Sequence, residues 1–165
     1  MHPRELANSG TEHGHQAAFF CYCRMATLYG FAAADDESSY KVALHAKNTY
    51  SEASGVWPLS FIHAIPNGGS RGDSQRTRSI AGQMLKAEGV KKGIADVFLP
   101  FPFRGFAGLY IEFKKPDQRP KNSNSKGGLS DEQISFLKYA NEVGYKAAVC
   151  YSWIEAVDEI KRYLL

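Results

Sequence analysis

Residues 95–115 read ADVFLPFPFRGFAGLYIEFKK. In their second half Leu109, Ile111 and Phe113 alternate with Tyr110, Glu112 and Lys114, the period of two that marks a strand with one apolar face. Ala95–Leu99 reads as an earlier short strand that Pro100 ends. The connection PFPFRGFAG is short enough for a hairpin-like return. Glu112 and Lys114 then point the same way. If the two strands are neighbours, Asp96 can approach Glu112.

Working outward, Ser130 followed by Gln133 is a capping-box pattern that opens a helix with Ile134, Phe136, Leu137 and Ala140 inward and a stop near Gly144. Tyr145–Tyr151 is a strand. Ser152 and Glu155 repeat the capping pattern and open a last helix with Ile154, Val157, Ile160 and Leu164 inward. Because a helix separates this strand from the one at 109–114, the two are expected to run parallel. Towards the N-terminus, Thr77–Glu88 reads as a helix stopped by Gly89, PNGGSRGDS as a loop, and Trp57–Ile65 as a strand. Residues 11–31 read as a helix that Thr11 could cap, with Ala17, Phe20, Cys21, Arg24, Leu28 and Phe31 at helical spacing and Arg24 the one polar exception. Residues 26–56 stay unassigned, apart from a short helix around Tyr40–Ala46. The expected fold class is α/β: a single domain with a mixed central sheet flanked by helices.

The bulk properties are ordinary for a soluble globular chain of 165 residues, 44% hydrophobic and 22% charged. No apolar run is read as a membrane span and the polar N-terminus lacks a signal-peptide core, so a cytoplasmic protein with no membrane partner is expected. Cys21, Cys23 and Cys150 are too few for a disulfide framework. Their spacing is not that of a zinc knuckle, although His13 and His15 lie nearby. Net charge is +3, but it is unevenly spread: residues 71–92 and 104–126 each carry six basic and two acidic side chains, while residues 1–60 and 129–165 are each net −2. Basic residues thus surround Asp96, as a phosphate-bearing partner would require, although a solvated Lys- and Arg-rich surface gives the same pattern.

Two carboxylates on adjacent strands make a hard oxygen site suited to Mg²⁺ or Mn²⁺, to which the Phe113 carbonyl could add a backbone ligand. A lysine beside them could orient water or stabilise charge gathering on a phosphate. The same three residues could equally form an ordinary cross-strand surface pair, since short motifs arise by chance. IPNGGSRGDSQRTR lacks the Gly-Lys-Ser/Thr ending of a P-loop.

The stretches IPNGG (65–69), GVKKGIADVFLP (89–100), GLYIEFKK (108–115), GGLSDEQISFL (127–137) and GYKAAVCYSWIEAVDEIKRYL (144–164) resemble, in order and over roughly 100 residues, the virus-type replication-repair nuclease domain (VRR-NUC), a branch of the PD-(D/E)xK nucleases. EHGHQAAFF (12–20) is similar to the family's opening helix. The resemblance implies a restriction-endonuclease-like core with Asp96 and Glu112 as metal-binding carboxylates and Lys114 as the catalytic lysine. It implies Glu12 as an acidic residue completing the metal site and Gln133 as a glutamine facing it. A first-turn Glu is also favoured by the helix dipole, and Gln133 has a rival role in the capping box. The proline often found before the aspartate is Ala95 here, which removes backbone restriction but no chemistry.

The function expected from the resemblance is a divalent-metal-dependent, structure-selective DNA endonuclease, acting on branched DNA or Holliday junctions in phage or prophage replication or repair. Asn67, Arg71, Arg76, Arg78, Lys91, Lys92, Lys115 and Lys121 are the expected DNA-binding residues, together with Arg119 and Lys126. A homodimer is expected, with Phe101, Phe103 and Phe106 as a pairing surface or else a core-covering loop. The rival reading is a non-catalytic nucleic-acid-binding module of the same fold.

Overall fold

In the computed structural model, which describes residues 1–43, 55–66 and 82–165, the strand with the clearest alternation is the one from which the rest is built. This is β3 (Leu109–Phe113), in which Leu109, Ile111 and Phe113 are essentially inaccessible. The remaining strands are β1 (His63–Ala64), β2 (Val97–Leu99) and β4 (Lys146–Cys150), in the spatial order β1-β2-β3-β4. β1 with β2 and β2 with β3 are antiparallel, and β3 with β4 is parallel. The sheet is therefore mixed, and its helices are α1 (Pro3–Ala7), α2 (Glu12–Asp35), α3 (Ser39–Ala43), α4 (residues 82–87), α5 (Asp131–Glu142) and α6 (Trp153–Leu164).

The β2–β3 connection is a tight hairpin turn. Phe103 and Phe106 exchange both backbone hydrogen bonds, and Arg104 and Gly105 between them both have positive φ (50° and 84°). That pair of angles matches the handedness that closes a twisted antiparallel ladder in two residues. Phe103 and Phe106 pack against Tyr163, and Phe101 is half-buried against Trp57.

The apolar face of the sheet is covered by α2 and α6. Phe19 meets Phe113 edge-on at 5.6 Å, and Tyr22, Cys23, Ala26, Val157, Ile160 and Tyr163 complete the core. Each fully buried side chain of this size contributes about 1.5–3 kcal/mol. α2 is long and apolar enough to cross a membrane by length and composition alone, contrary to the sequence expectation; in this fold it is the core helix.

The structure corrects several sequence readings. The buried stripe of α2 is His15, Ala18, Phe19, Tyr22, Cys23 and Ala26, whereas Leu28 and Arg24 face outward. The helix continues to Asp35, kinked at Gly30 (φ 86°), so 26–35 is helical. Trp57–Phe61 is a 3-10 turn rather than a strand: Pro58 sits in its first turn, and only His63 and Ala64 reach the sheet. Ile154 is exposed, and α6 buries Ala156, Val157, Ile160 and Tyr163. Ile134 is partly exposed, leaving Leu137 and Ala140 as the buried residues of α5. Ser152 caps α6, but the Glu155 carboxylate accepts from the Tyr151 N–H instead of closing a reciprocal box. Cys23 and Cys150 are buried free thiols whose pKa values burial pushes up, and among the described residues no cysteine joins a metal-binding group. The start of the helix read at Thr77–Glu88 and most of the loop before it lie outside the described residues.

Candidate active site

The β2–β3 register pairs Val97 with Ile111, Phe98 with Tyr110 and Leu99 with Leu109. One step further, the same register sets Asp96 opposite Glu112. Side chains directly opposite in an antiparallel pair share a face. Asp96 Oδ2 accepts from the Phe113 backbone N–H at 2.8 Å, which ties the end of β2 to the end of β3. The side chains that the sequence placed on neighbouring strands thus meet at one end of the sheet.

Glu112 is only 1% exposed. Its Oε1 accepts from Lys114 Nζ at 2.6 Å and also from the Gln133 side-chain amide. Its Oε2 is buried with no hydrogen-bond partner. Burial comes first among the causes that push the Glu112 pKa up to about 7; the Asp96 charge adds to it, Lys114 opposes it and the Glu12 charge raises it further. Burial disfavours the ionised form, and the Lys114 ammonium beside it opposes that shift. Lys114 is itself held by its backbone N–H, which donates to the Cys150 carbonyl across the β3–β4 ladder.

Gln133 fills both roles that the sequence set against each other. Its Oε1 accepts from the Ser130 N–H at 3.0 Å and its backbone N–H donates to Ser130 Oγ at 3.2 Å, so the capping box is complete. Its Nε2 remains to donate to Glu112. A side-chain amide has separate donor and acceptor ends, and the helix start uses one while the site uses the other.

An orphaned carboxylate oxygen in a buried setting is costly unless something positive occupies its open side. Asp96 and Glu112 offer hard oxygen donors, and Mg²⁺ commonly binds through one or two carboxylates with water and phosphate oxygens completing its shell. The residues present fit such an ion. Among the described residues no three His, Cys, Asp or Glu side chains gather into a metal-binding group. Glu12, at the first turn of α2, therefore reaches Glu112 through its charge rather than as a third member of a cluster.

Sequence reading missed two kinds of contributor. His13 and Gln16 line a cleft of about 420 Å³ that also includes Ile65, Pro66 and Asp96. The signal available was polar residues at the start of an otherwise apolar helix. Gly93 is the other. It has φ +81°, and a Cβ there would stand 2.5 Å from Glu132 Cβ and 2.7 Å from the Glu132 carbonyl carbon. Only a bare backbone lets the segment leading to Asp96 lie against the first turn of α5, one residue from Gln133. We expect Gly93→Ala to lower stability by about 1–3 kcal/mol through the left-handed backbone and the clash, and to displace Gln133 from Glu112. Urea midpoints set beside cleavage rates test this, and an Ala variant equal to wild type in both would show that the close approach is unimportant.

Of the expected phosphate-binding residues, Lys91, Lys92, Lys115 and Lys121 are exposed. Arg119 is ion-paired to Glu155 and stacked over Tyr151, and Lys126 is paired to Asp131, so these two fasten the 115–128 segment. Tyr151 adds a hydrogen bond to the Gly127 carbonyl. Residues 115–128 are thus held at Arg119 and at Lys126–Gly127. Asn67, Arg71, Arg76 and Arg78 lie outside the described residues.

No family model matches the chain, and no curated protein matches it. Among solved structures the chain is similar to a protein described as a VRR_NUC domain protein, with 20% identity and a TM-score of 0.47 over 77% of this chain and 84% of the other.

Proposed function

We propose that the protein is a divalent-metal-dependent nuclease of the PD-(D/E)xK type that hydrolyses phosphodiester bonds in DNA. The observation that carries this is the convergence of Asp96, Glu112, Lys114 and Gln133 at one end of the sheet, with a buried Glu112 oxygen left without a partner. Asp96 and Glu112, with the Phe113 carbonyl, would hold Mg²⁺ or Mn²⁺. When bound, such an ion supplies Lewis-acid polarisation of the scissile phosphate and a lowered pKa for water. Lys114 places a positive charge beside that phosphate and orients the attacking water. Gln133 fixes the Glu112 carboxylate in one rotamer. Lys91, Lys92, Lys115 and Lys121 neutralise flanking phosphates without reading bases. Branched DNA as substrate and a two-fold pair of chains belong to the same proposal.

The non-catalytic alternative requires the fold to keep a desolvated, poorly satisfied carboxylate for no purpose, which is unfavourable to stability. The deciding experiment is cleavage of labelled four-way junction, flap, single strand and duplex with Mg²⁺, Mn²⁺ or EDTA, by wild type and Asp96→Asn. Cutting that needs both metal and Asp96 supports the nuclease; binding without cutting under every metal transfers the protein to the non-catalytic class.

Lys114 gives a separate prediction. Lys114→Ala should reduce turnover by roughly 10²-fold or more, in line with removal of a group that stabilises developing charge. It also removes the counter-ion of Glu112, so that carboxyl should hold its proton to higher pH. Metal binding by the variant should therefore be weakened near neutrality and recover in more alkaline buffer. Turnover equal to wild type across that range would strip Lys114 of its role.

A further inference from the structure

Registers across all four strands define two rows of side chains on the face that α5 partly covers. One row contains Asp96, Glu112 and Val149. The row beside it, two residues along each strand, is His63, Phe98, Tyr110 and Ala147. Two residues of strand separate the rows by about 6.6 Å. Phe98 and Tyr110 are stacked, with ring centroids 4.4 Å apart and planes 19° from parallel. His63 meets Phe98 edge-on at 5.8 Å.

This row is built unevenly. Towards β4 it is closed, because Phe136 of α5 and Tyr145 pack against Tyr110 at 5.1 and 5.3 Å. Towards β1 it is open among the described residues, since His63 is exposed and Phe98 half-buried, with Tyr145 also edge-on to Phe98 at 5.9 Å. The exposed ring is nevertheless fixed: His63 Nδ1 donates to the Phe61 carbonyl at 2.9 Å. Phe98 lies close over Gly108, where a Cβ would come within 2.8 Å of the ring. Cross-strand aromatic pairs are an ordinary way to stabilise a sheet; what this row adds is an exposed imidazole, hydrogen-bonded to the backbone, at its outer end. It is continuous with the carboxylates on the same face.

We propose that His63, braced edge-on by Phe98, forms a stacking surface for an unpaired nucleobase adjacent to the scissile phosphate. This rests on the nuclease reading and narrows its substrate class. A strand whose phosphate lies at Asp96 and Glu112 would bring its neighbouring base over the next row of the same face. Only a base freed from its partner can present a π-face to side chains in this way. The preferred substrate is therefore DNA with unpaired nucleotides at the cut, such as a single strand, flap or splayed branch, and not uninterrupted duplex.

The test uses full-length Asp96→Asn, expected to bind without cutting, with single-stranded DNA carrying 2-aminopurine at successive positions and with the matching duplex. Stacking on a ring quenches 2-aminopurine fluorescence. Quenching is expected at one or two positions in the single strand and at none specific to the protein in the duplex. Adding His63→Ala, or Phe98→Leu, which keeps apolar bulk but removes the ring that braces His63, should abolish the quench. Each should weaken single-strand affinity roughly five- to a hundredfold, the range of base–aromatic stacking, while duplex affinity stays unchanged. Equal quenching and affinity in the variants would overturn the platform. Because the readout is binding, it is separable from catalysis. Metal- and Asp96-dependent cutting by wild type without a platform-dependent quench would reject this inference and leave the nuclease standing. A quench without cutting would reject the nuclease reading, and with it the link to a scissile phosphate, leaving only a base-binding surface at His63.

Discussion

Asp96→Asn should lose metal-dependent cleavage by roughly 10²–10³-fold or more, the scale seen when a single group stabilising transition-state charge is removed, yet stay close to wild type in stability. The choice of Asn over Ala follows from the structure. Asp96 Oδ2 accepts from the Phe113 N–H, and the side-chain oxygen of Asn can accept the same bond while carrying no charge. Asp96→Ala removes the acceptor as well. It strands a backbone donor at the most buried end of β3, at a cost of about 1–3 kcal/mol. The two variants should therefore be equally inactive but differ in urea midpoint, with Ala the less stable. Single-turnover cleavage and equilibrium unfolding of both measure the two effects. An active Asn variant would remove the carboxylate from the chemistry, and equal stability of the two would remove its structural bond.

The parts of this site that were legible in the sequence were those with strict local periodicity. Alternation over Leu109–Lys114 fixed which side chains share a face, and the short connection after Pro100 implied the antiparallel neighbour that brings Asp96 to Glu112. The parallel partner β4 followed from the intervening helix. Where periodicity was absent, the reading failed for identifiable reasons. α2 is apolar on most of its circumference, so spacing alone could not distinguish the stripe of Phe20 and Leu28 from that of Ala18, Phe19 and Tyr22, which meets the sheet. WPLSFIHAI is apolar throughout, and such a run fits a strand or a buried turn equally. Pro58 decided for the turn. Gln133 looked like a choice between two roles because a sequence names a residue, while the structure distributes its two ends. Gly93 and the His63–Phe98 pair depend on contacts between segments distant in sequence, which no local pattern encodes.

The metal-free protein should lose stability as pH rises from about 5 to about 7, with Glu112 as the main cause. Its carboxyl, ordinarily near 4.5, is raised to about 7, chiefly by burial and then by the Asp96 charge. Between those values the folded protein holds a proton that the unfolded chain has released. Stability therefore falls with rising pH across this window and levels off above it. The full effect is on the order of 3 kcal/mol from the size of the shift. It runs opposite to a salt-bridged surface carboxylate, whose stabilising effect appears as pH rises. Glu112→Gln carries no titrating proton there, so its urea midpoint should lack this slope. Millimolar Mg²⁺ should flatten the wild-type slope, because a cation held by the ionised carboxylate favours the form that burial disfavours. Mg²⁺ affinity should itself rise about tenfold per pH unit below 7, where metal and proton compete for one group, and then plateau. Unfolding curves at pH 5, 6, 7 and 8 with and without Mg²⁺ separate the contributions. A wild-type slope parallel to that of Glu112→Gln would mean that another group titrates, and a slope indifferent to Mg²⁺ would mean that Glu112 does not hold the ion.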